Sequence, residues 1–290
     1  SLNEDNINDI KSKLELLSTP LGEIANIFVG IQTSADKIYH LKKISSGQYY
    51  STSLKRQVEI EDEIMYPLIS GPDAKRYKVP STTKFLLHPY STKYPFSKIS
   101  EEDFEVKFPK CFEYLKANEE FLRAREDGKM DTSNWYGYVY PKNLDKQTWT
   151  KIGIAQTVSS LQCFFDEDGS FFINNVRVNV ITPKNLKEFD IKYILGILKS
   201  KPADYYFKLI AKPKDNGFYE ANKQFIAPIP IPNIPIDQQQ IVIRLVDQIF
   251  MKKHADANAD VSALDAEINK IAFQLYGLNN DEIGTIEAKA

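Results

Sequence analysis

Histidine and cysteine are scarce in this chain, at three and two residues in 290. His40, His88 and His254 lie far apart, with none of the spacing that metal ligands show, so no metal site is expected. Cys111 and Cys163 are too few for a disulfide framework and suit a reducing, cytoplasmic setting. No apolar run approaches the length of a membrane span, and no signal peptide pattern is present. Glycine-rich cofactor loops of the GxGxxG or P-loop type, the HExxH metal motif and the G-x-S-x-G nucleophile motif are all missing. Neither sign of charge dominates, the net charge being −2. These absences leave no visible catalytic constellation, so no catalytic residue is assigned.

The hydrophobic (42%) and charged (26%) fractions are those of an ordinary globular protein, long enough for one large domain or two smaller units. Residues 21–236 hold 30 basic against 26 acidic side chains, while both ends are acidic. A basic groove is compatible with that distribution but is not demanded by it. The chain begins Ser-Leu-Asn rather than with Met, and the natural protein is expected to extend upstream.

Four prolines (Pro228, Pro230, Pro232 and Pro235) make 227–236 an extended run that cannot be an inner strand. Asp237 is placed as an N-cap, Gln240 at the capping-box position, and Ile236 with Ile241 as a hydrophobic staple for a following helix. Val242, Leu245, Val246 and Ile249 recur at helical spacing, and Lys252 and Lys253 suit the helix end. Ser262 is expected to cap a second helix with Leu264, Ile268, Ile271 and Leu275 on its seam, ended by Gly277. The run reads as a hinge between a body and a helical spacer.

Upstream, 4–17 reads as a short amphipathic helix with Ile7, Ile10, Leu14 and Leu17 on one face. Residues 21–41 read as strand, polar loop, strand, and 83–90 as a buried strand. From Ser100 to Arg125 the pattern is helical, with Pro109 starting a new helix or kinking the first. Residues 151–182 read as all-β, and 190–200 as another helix. A Pro-Asp-x-Lys string at 72–75 echoes a nuclease motif, but acid-x-Lys triplets recur elsewhere and no partner acid stands out, so chance explains it.

Several of these segments resemble one family. The PIPIPNIP run with its Gln-rich helix start, and the closing Leu275-Tyr276-Gly277-Leu278, are similar to the TaqI-like C-terminal specificity domain of restriction–modification adenine methyltransferases and type IIG restriction enzymes. Type I specificity subunits are related in the same way. The opening Gly30-Ile31-Gln32-Thr33 also matches, with Ser34 where that family has glycine. So do Pro67, Leu68, Gly71, Asp73, Arg76 and Tyr77, then Phe108-Pro109, Tyr114-Leu115, Phe121-Leu122-Arg123 and Trp135-Tyr136. No single motif is strong; their order along nearly the whole chain carries the resemblance.

The resemblance implies an α+β fold: a twisted, mostly antiparallel sheet body with covering helices, followed by a C-terminal helical spacer. The divisions are an N-terminal helix (1–17), a target-recognition body (18–236) and the spacer (237–290). It implies a non-catalytic module that reads a short double-stranded DNA sequence for a methyltransferase domain, upstream or in trans. S-adenosylmethionine, and Mg if cleavage accompanies methylation, would belong to that missing part. No Asn-Pro or Asp-Pro step occurs, so the chain lacks the motif of amino-directed methyltransferases. Candidate DNA contacts are Gln32 and Thr33, which suit base edges, with Lys37 beside them. Lys75, Arg76 and Tyr77, then Arg123, Arg125 and Lys129 beside Trp135 and Tyr136, combine cations with aromatics. Lys212, Lys214 and Lys223 lie in or near a polar loop. For each group a solvated or core-packed role is the competing reading. A protein–protein module that uses the terminal helices is the competing function.

Overall fold

Helix α1 (Glu4–Leu16) leads into strand β1 (Ser18–Pro20), a single turn α2 (Leu21–Ile24), strand β2 (Ala25–Val29) and a second turn α3 (Asp36–Tyr39). Strands β3 (His40–Ser45), β4 (Gln48–Ser51), β5 (Arg56–Glu59), β6 (Met65–Ile69) and β7 (Lys84–Leu87) follow. Helices α4 (Glu101–Lys107), α5 (Pro109–Lys116) and α6 (Glu119–Ala124) come next. They precede β8 (Lys151–Ala155), β9 (Thr157–Val158), β10 (Cys163–Asp166), β11 (Phe172–Ile173) and β12 (Val178–Pro183). Then come α7 (Ile191–Leu198), α8 (Lys201–Ile210), β13 (Tyr219–Glu220), α9 (Lys223–Ile226) and β14 (Pro230–Pro232). The last helices are α10 (Gln240–Ala255), α11 (Ser262–Leu275) and α12 (Asn280–Glu287). This computed structural model describes residues 4–73, 81–174 and 177–289.

Six strands pair in the order β11-β6-β7-β3-β4-β5, antiparallel apart from the parallel pair β11–β6. Four more form a wholly antiparallel sheet, β10-β8-β12-β2. The fold is therefore α+β and mostly antiparallel, as the sequence leads one to expect. Ser100 caps α4 by accepting the Asp103 N–H at 3.1 Å, and Pro109 occupies the first turn of α5, where its missing N–H costs nothing. Among the described residues no helix is long and apolar enough to cross a membrane.

Each sheet has its own hydrophobic cluster. The six-stranded sheet packs Tyr39, Tyr49, Leu86 and Leu68 against Phe104, Leu115 and Leu122 of α4–α6. The four-stranded sheet packs Ile152, Phe164 and Val180 against Leu195, Phe207, Val246 and Ile268. That second cluster also takes Ile10 and Leu14 of α1, so the N-terminal helix and the tail belong to one packed layer. The tail helices join this layer through Val246, Ile268 and Ile286. Gly196 lets α10 close onto α7, since a Cβ there would lie 2.4 Å from Val242 Cγ1. The proline run is held through its carbonyls, the only polar backbone groups prolines keep. Tyr193 donates to Pro232 O and Tyr276 to Pro230 O, each at 2.7 Å.

The expected start of α10 is displaced. Asp237 does not cap it, and the Ile236–Ile241 staple does not form, both side chains being exposed. Gln239 is buried instead, and its amide accepts from Asp190 N (2.9 Å) and donates to Glu188 O (2.7 Å) and Ile234 O (3.1 Å). Three well-made bonds fix a turn through 236–239 and delay the helix to Gln240. Ser262 is likewise the first residue of α11 rather than its cap.

A buried ion pair fastens β8 to β10. Lys151 Nζ lies 2.6 Å from Asp166 Oδ2, with each side chain 1% exposed. The ammonium also donates to Gln147 O and Trp149 O, and the carboxylate accepts Ser170 N and Phe171 N. Every polar atom of the pair is thus engaged. Lys151→Met strands the carboxylate in the core and should lower unfolding free energy by about 3–5 kcal/mol in a denaturant titration.

His88 is enclosed by Tyr66, Tyr90, Tyr138 and Phe172, and burial pushes its pKa down to about 3. The Tyr138 hydroxyl donates its one proton to Leu87 O, so His88 Nδ1 is the donor in the 3.2 Å His88–Tyr138 contact. The unfolded chain binds the His88 proton more readily than the folded one. Stability from this residue is therefore complete above pH ~6.5 and declines towards pH 3. Between pH 6 and 4, wild type should lose up to ~1.4 kcal/mol per pH unit more than His88→Phe in urea unfolding.

Candidate nucleic-acid interface

Both sheets end at a common edge. Register pairs Val29 with Asn179, Ala155 with Val178, Ile154 with Cys163, and Ile69 with Ile173. Strands β2, β6, β8 and β11 therefore finish here, and β10 and β12 begin. The connecting loops are bonded to one another across the edge. Ile31 N donates to Ile173 O (2.7 Å), Asn174 N to Ile69 O (3.0 Å) and Gln156 N to Arg177 O (2.8 Å). Ala221 N then donates to Gln156 O (2.9 Å), while the bond from Glu220 N to Lys212 O (2.9 Å) closes the 212–220 loop on itself. Two glycines permit the approach. A Cβ on Gly30 would lie 1.9 Å from Ile173 O, and one on Gly71 2.9 Å from Arg177 Cβ. Loops 30–35, 70–73, 156–162 and 212–220, with Asn174 and Arg177, thus line a single seam where the two clusters meet.

Several expected contact residues fall on or beside this seam. Gln32 is exposed and bridges in antiparallel fashion to Tyr140, itself exposed. Ser34 has φ 57°, the left-handed backbone that the family's glycine adopts without strain. Lys37 is exposed just beyond. Lys212 and Lys214 are exposed on a turn closed by Lys214 N donating to Phe218 O at 2.7 Å, and Lys223 is exposed at the start of α9. None of these lysines has a hydrogen-bond or ion-pair partner for its ammonium among the described residues. Lys75, Arg76 and Tyr77 lie outside the described residues. The chain leaves the described part at Asp73, whose carboxylate is occupied by Ser70 N and Ser70 Oγ.

Four expected contacts are core instead. Thr33 is buried, donating to Asp36 Oδ1 at 2.6 Å and accepting Ala35 N. Trp135 and Tyr136 are fully buried, with Nε1 of Trp135 donating to Glu101 and the Tyr136 hydroxyl to Ile99 O. Arg125 is buried and spends its guanidinium on carbonyls: Leu122 O, Thr33 O, Trp135 O and Gly137 O at 2.7–3.2 Å. It staples the 33–35 loop to α6 and the 135–137 turn. Arg123 is half-buried and already neutralised by Glu119 and Asp131 at 2.7 and 2.9 Å. Four of the five N–H donors of each guanidinium are thus committed within the protein. Among the described residues Lys129 alone of that group has no partner for its ammonium, on an exposed turn that follows Glu126, whose carboxylate the Tyr140 hydroxyl approaches.

Two seam residues escaped the sequence reading. Gln156 is half-exposed at the end of β8, and Arg177 is exposed with φ 74° immediately before β12. The string Val176-Arg177-Val178-Asn179-Val180 alternates like a strand, which hid Arg177 as an ordinary polar-face residue. No group of three or more His, Cys, Asp or Glu residues able to hold a metal occurs among the described residues.

This geometry can be compared with known proteins. The chain is 24% identical over 323 residues to the type II restriction enzyme and methyltransferase RM.Eco57I of Escherichia coli, covering 99% of this chain and 32% of that protein. It is 20% identical over 267 residues to the type II methyltransferase M.BstVI of Geobacillus stearothermophilus, covering 90% of this chain and 40% of that one. It therefore spans well under half the length of either relative. The solved structure of the type IIG restriction endonuclease BpuSI superposes with a TM-score of 0.51 at 14% identity, over 93% of this chain and 33% of that one, so the two share a fold. The model of the TaqI-like C-terminal specificity domain matches residues 66–231, taking in the seam loops from 70 to 220, and the chain belongs to that family.

Proposed function

We propose that this chain reads a short sequence in double-stranded DNA, with the seam against the major groove, on behalf of an adenine-specific methyltransferase. The observation that carries the reading is the seam itself. It gathers Gln32, Gln156, Arg177, Lys212 and Lys214 on loops fixed by backbone bonds. Lysines there suit phosphates, which position a duplex, and Gln and Arg suit base edges, which specify it. Methyl transfer, its S-adenosylmethionine and any cleavage with Mg belong to a domain outside these residues. This module's part is to hold the target adenine where that domain can flip it. The relatives' names include a fused restriction enzyme and methyltransferase and a methyltransferase alone, so cleavage is not assigned. A methyltransferase domain is also the partner inferred for the apolar residues that the tail and α1 leave uncovered, Leu16, Leu17 and Ile236.

The test is anisotropy binding to random-sequence duplex DNA across a salt series. Wild type should bind at low salt and weaken steeply as salt rises. Lys212→Ala/Lys214→Ala should flatten the slope of log affinity against log salt by about 2, one phosphate each, with melting temperature unchanged. Arg125→Ala should behave oppositely. Four buried carbonyls lose their donor, so the protein loses about 2–4 kcal/mol of stability while the salt slope of the folded fraction stays as it was. Absence of any binding by wild type at low salt would remove the reading.

A further inference from the structure

Arg177 is one of eight non-glycine residues among the described residues with a left-handed backbone, at φ 74°. Ser34, Lys55, Phe96, Glu126, Asp127, Asn143 and Asn216 share that region at φ between 52° and 60°, so Arg177 has the most positive φ of these side-chain-bearing residues, and arginine has no local side-chain bonding to ease it as asparagine does. The conformation is enforced from two sides. Gln156 N bonds Arg177 O at 2.8 Å, and Gly71 packs where any Cβ would come within 2.9 Å of Arg177 Cβ. Glycine at 177 would relieve the strain at once.

Nothing among the described residues repays it. Arg177 is exposed, and its guanidinium has no partner among the described residues. Arg123 and Arg125, by contrast, are filled by carboxylates and carbonyls. A strained backbone carrying an unused side chain at the centre of a loop cluster marks a group that acts on something outside.

We infer that Arg177 reads a guanine of the target duplex, donating in bidentate fashion to O6 and N7 in the major groove; this rests on the duplex-reading function proposed above. A guanidinium fork fits any planar pair of acceptors, so a phosphate could in principle take it. The two are separated by how the group is held. Phosphate contact tolerates long flexible stems, and Lys212 and Lys214 on their projecting turn supply those. In-plane pairing with a base edge needs a fixed root, and Arg177 is the cation of the seam whose backbone is pinned by neighbouring loops. The strain is the cost of that fixed root.

The experiment is selection from a randomised duplex library, followed by binding to single-pair variants of the selected site, with wild type, Arg177→Gly and Arg177→Lys. Glycine suits the backbone, so Arg177→Gly should melt no lower than wild type. It should nevertheless lose about ten- to hundred-fold discrimination at one G·C pair and keep the other positions. Arg177→Lys keeps the charge without the fork and should retain the salt slope while losing discrimination at that same pair. A uniform affinity loss over all sequences, with a salt slope flatter by about one, would make Arg177 a phosphate contact and overturn the inference. So would unchanged discrimination in both variants. If wild type itself selects no sequence, the recognition function falls, and this inference with it.

Discussion

The parallel pairing of β6 with β11 is the constraint on which the rest depends. Successive residues of a strand face opposite sides, and here each side belongs to a different core. Leu68 and Phe172 enter the cluster beneath the six-stranded sheet, while Ile69 and Ile173 enter the cluster of the four-stranded sheet. Two adjacent residue pairs therefore lock two layers together. The same register delivers Ile31 N to Ile173 O and Asn174 N to Ile69 O, which ties the loop that carries Gln32 to the seam. A slip of one residue would exchange the two cores and disperse the loops. Packing and the candidate interface are consequences of one register.

The buried polar groups divide the labour in a consistent way. Lys151 with Asp166, and Arg125 with its carbonyls, hold strands and loops from within. Gln239 does the same at the head of α10, and Tyr193 and Tyr276 at the proline run. Each is satisfied, as burial demands. The exposed cations of the seam, Arg177, Lys212 and Lys214, have no such partners among the described residues.

What the sequence makes legible is whatever has a local cause. Ser100 and Pro109 set helix starts by cap chemistry, Gly277 ends α11 with φ 66°, and the prolines at 228–235 keep their run at an edge beside β1. What it conceals depends on distant partners. Nothing in the string Phe121-Leu122-Arg123-Ala124-Arg125 separates a surface cation from one enclosed by carbonyls ten and more residues away. Trp135 and Tyr136 read equally well as stacking platform or core, and only the position of α4 and α5 decides for core. At the N-terminus of α10 a good local signal lost to a tertiary one, because Gln239 gains three bonds that Asp237 as a cap would not. Arg177 was hidden for the opposite reason: its pattern looked ordinary, and its significance lies in a dihedral angle.

The packing of α1 beside α12 has a consequence for inheritance. Lys13 Nζ meets Glu282 Oε1 at 2.7 Å, so α1 and α12 lie side by side on one flank. The seam loops are built from the segments between. A unit attached at adjacent points can be cut from one protein and grafted into another without displacing the host, as domain insertions generally require. Such a layout lets the seam loops and both cores travel together as one folded unit, with no part of either core left behind.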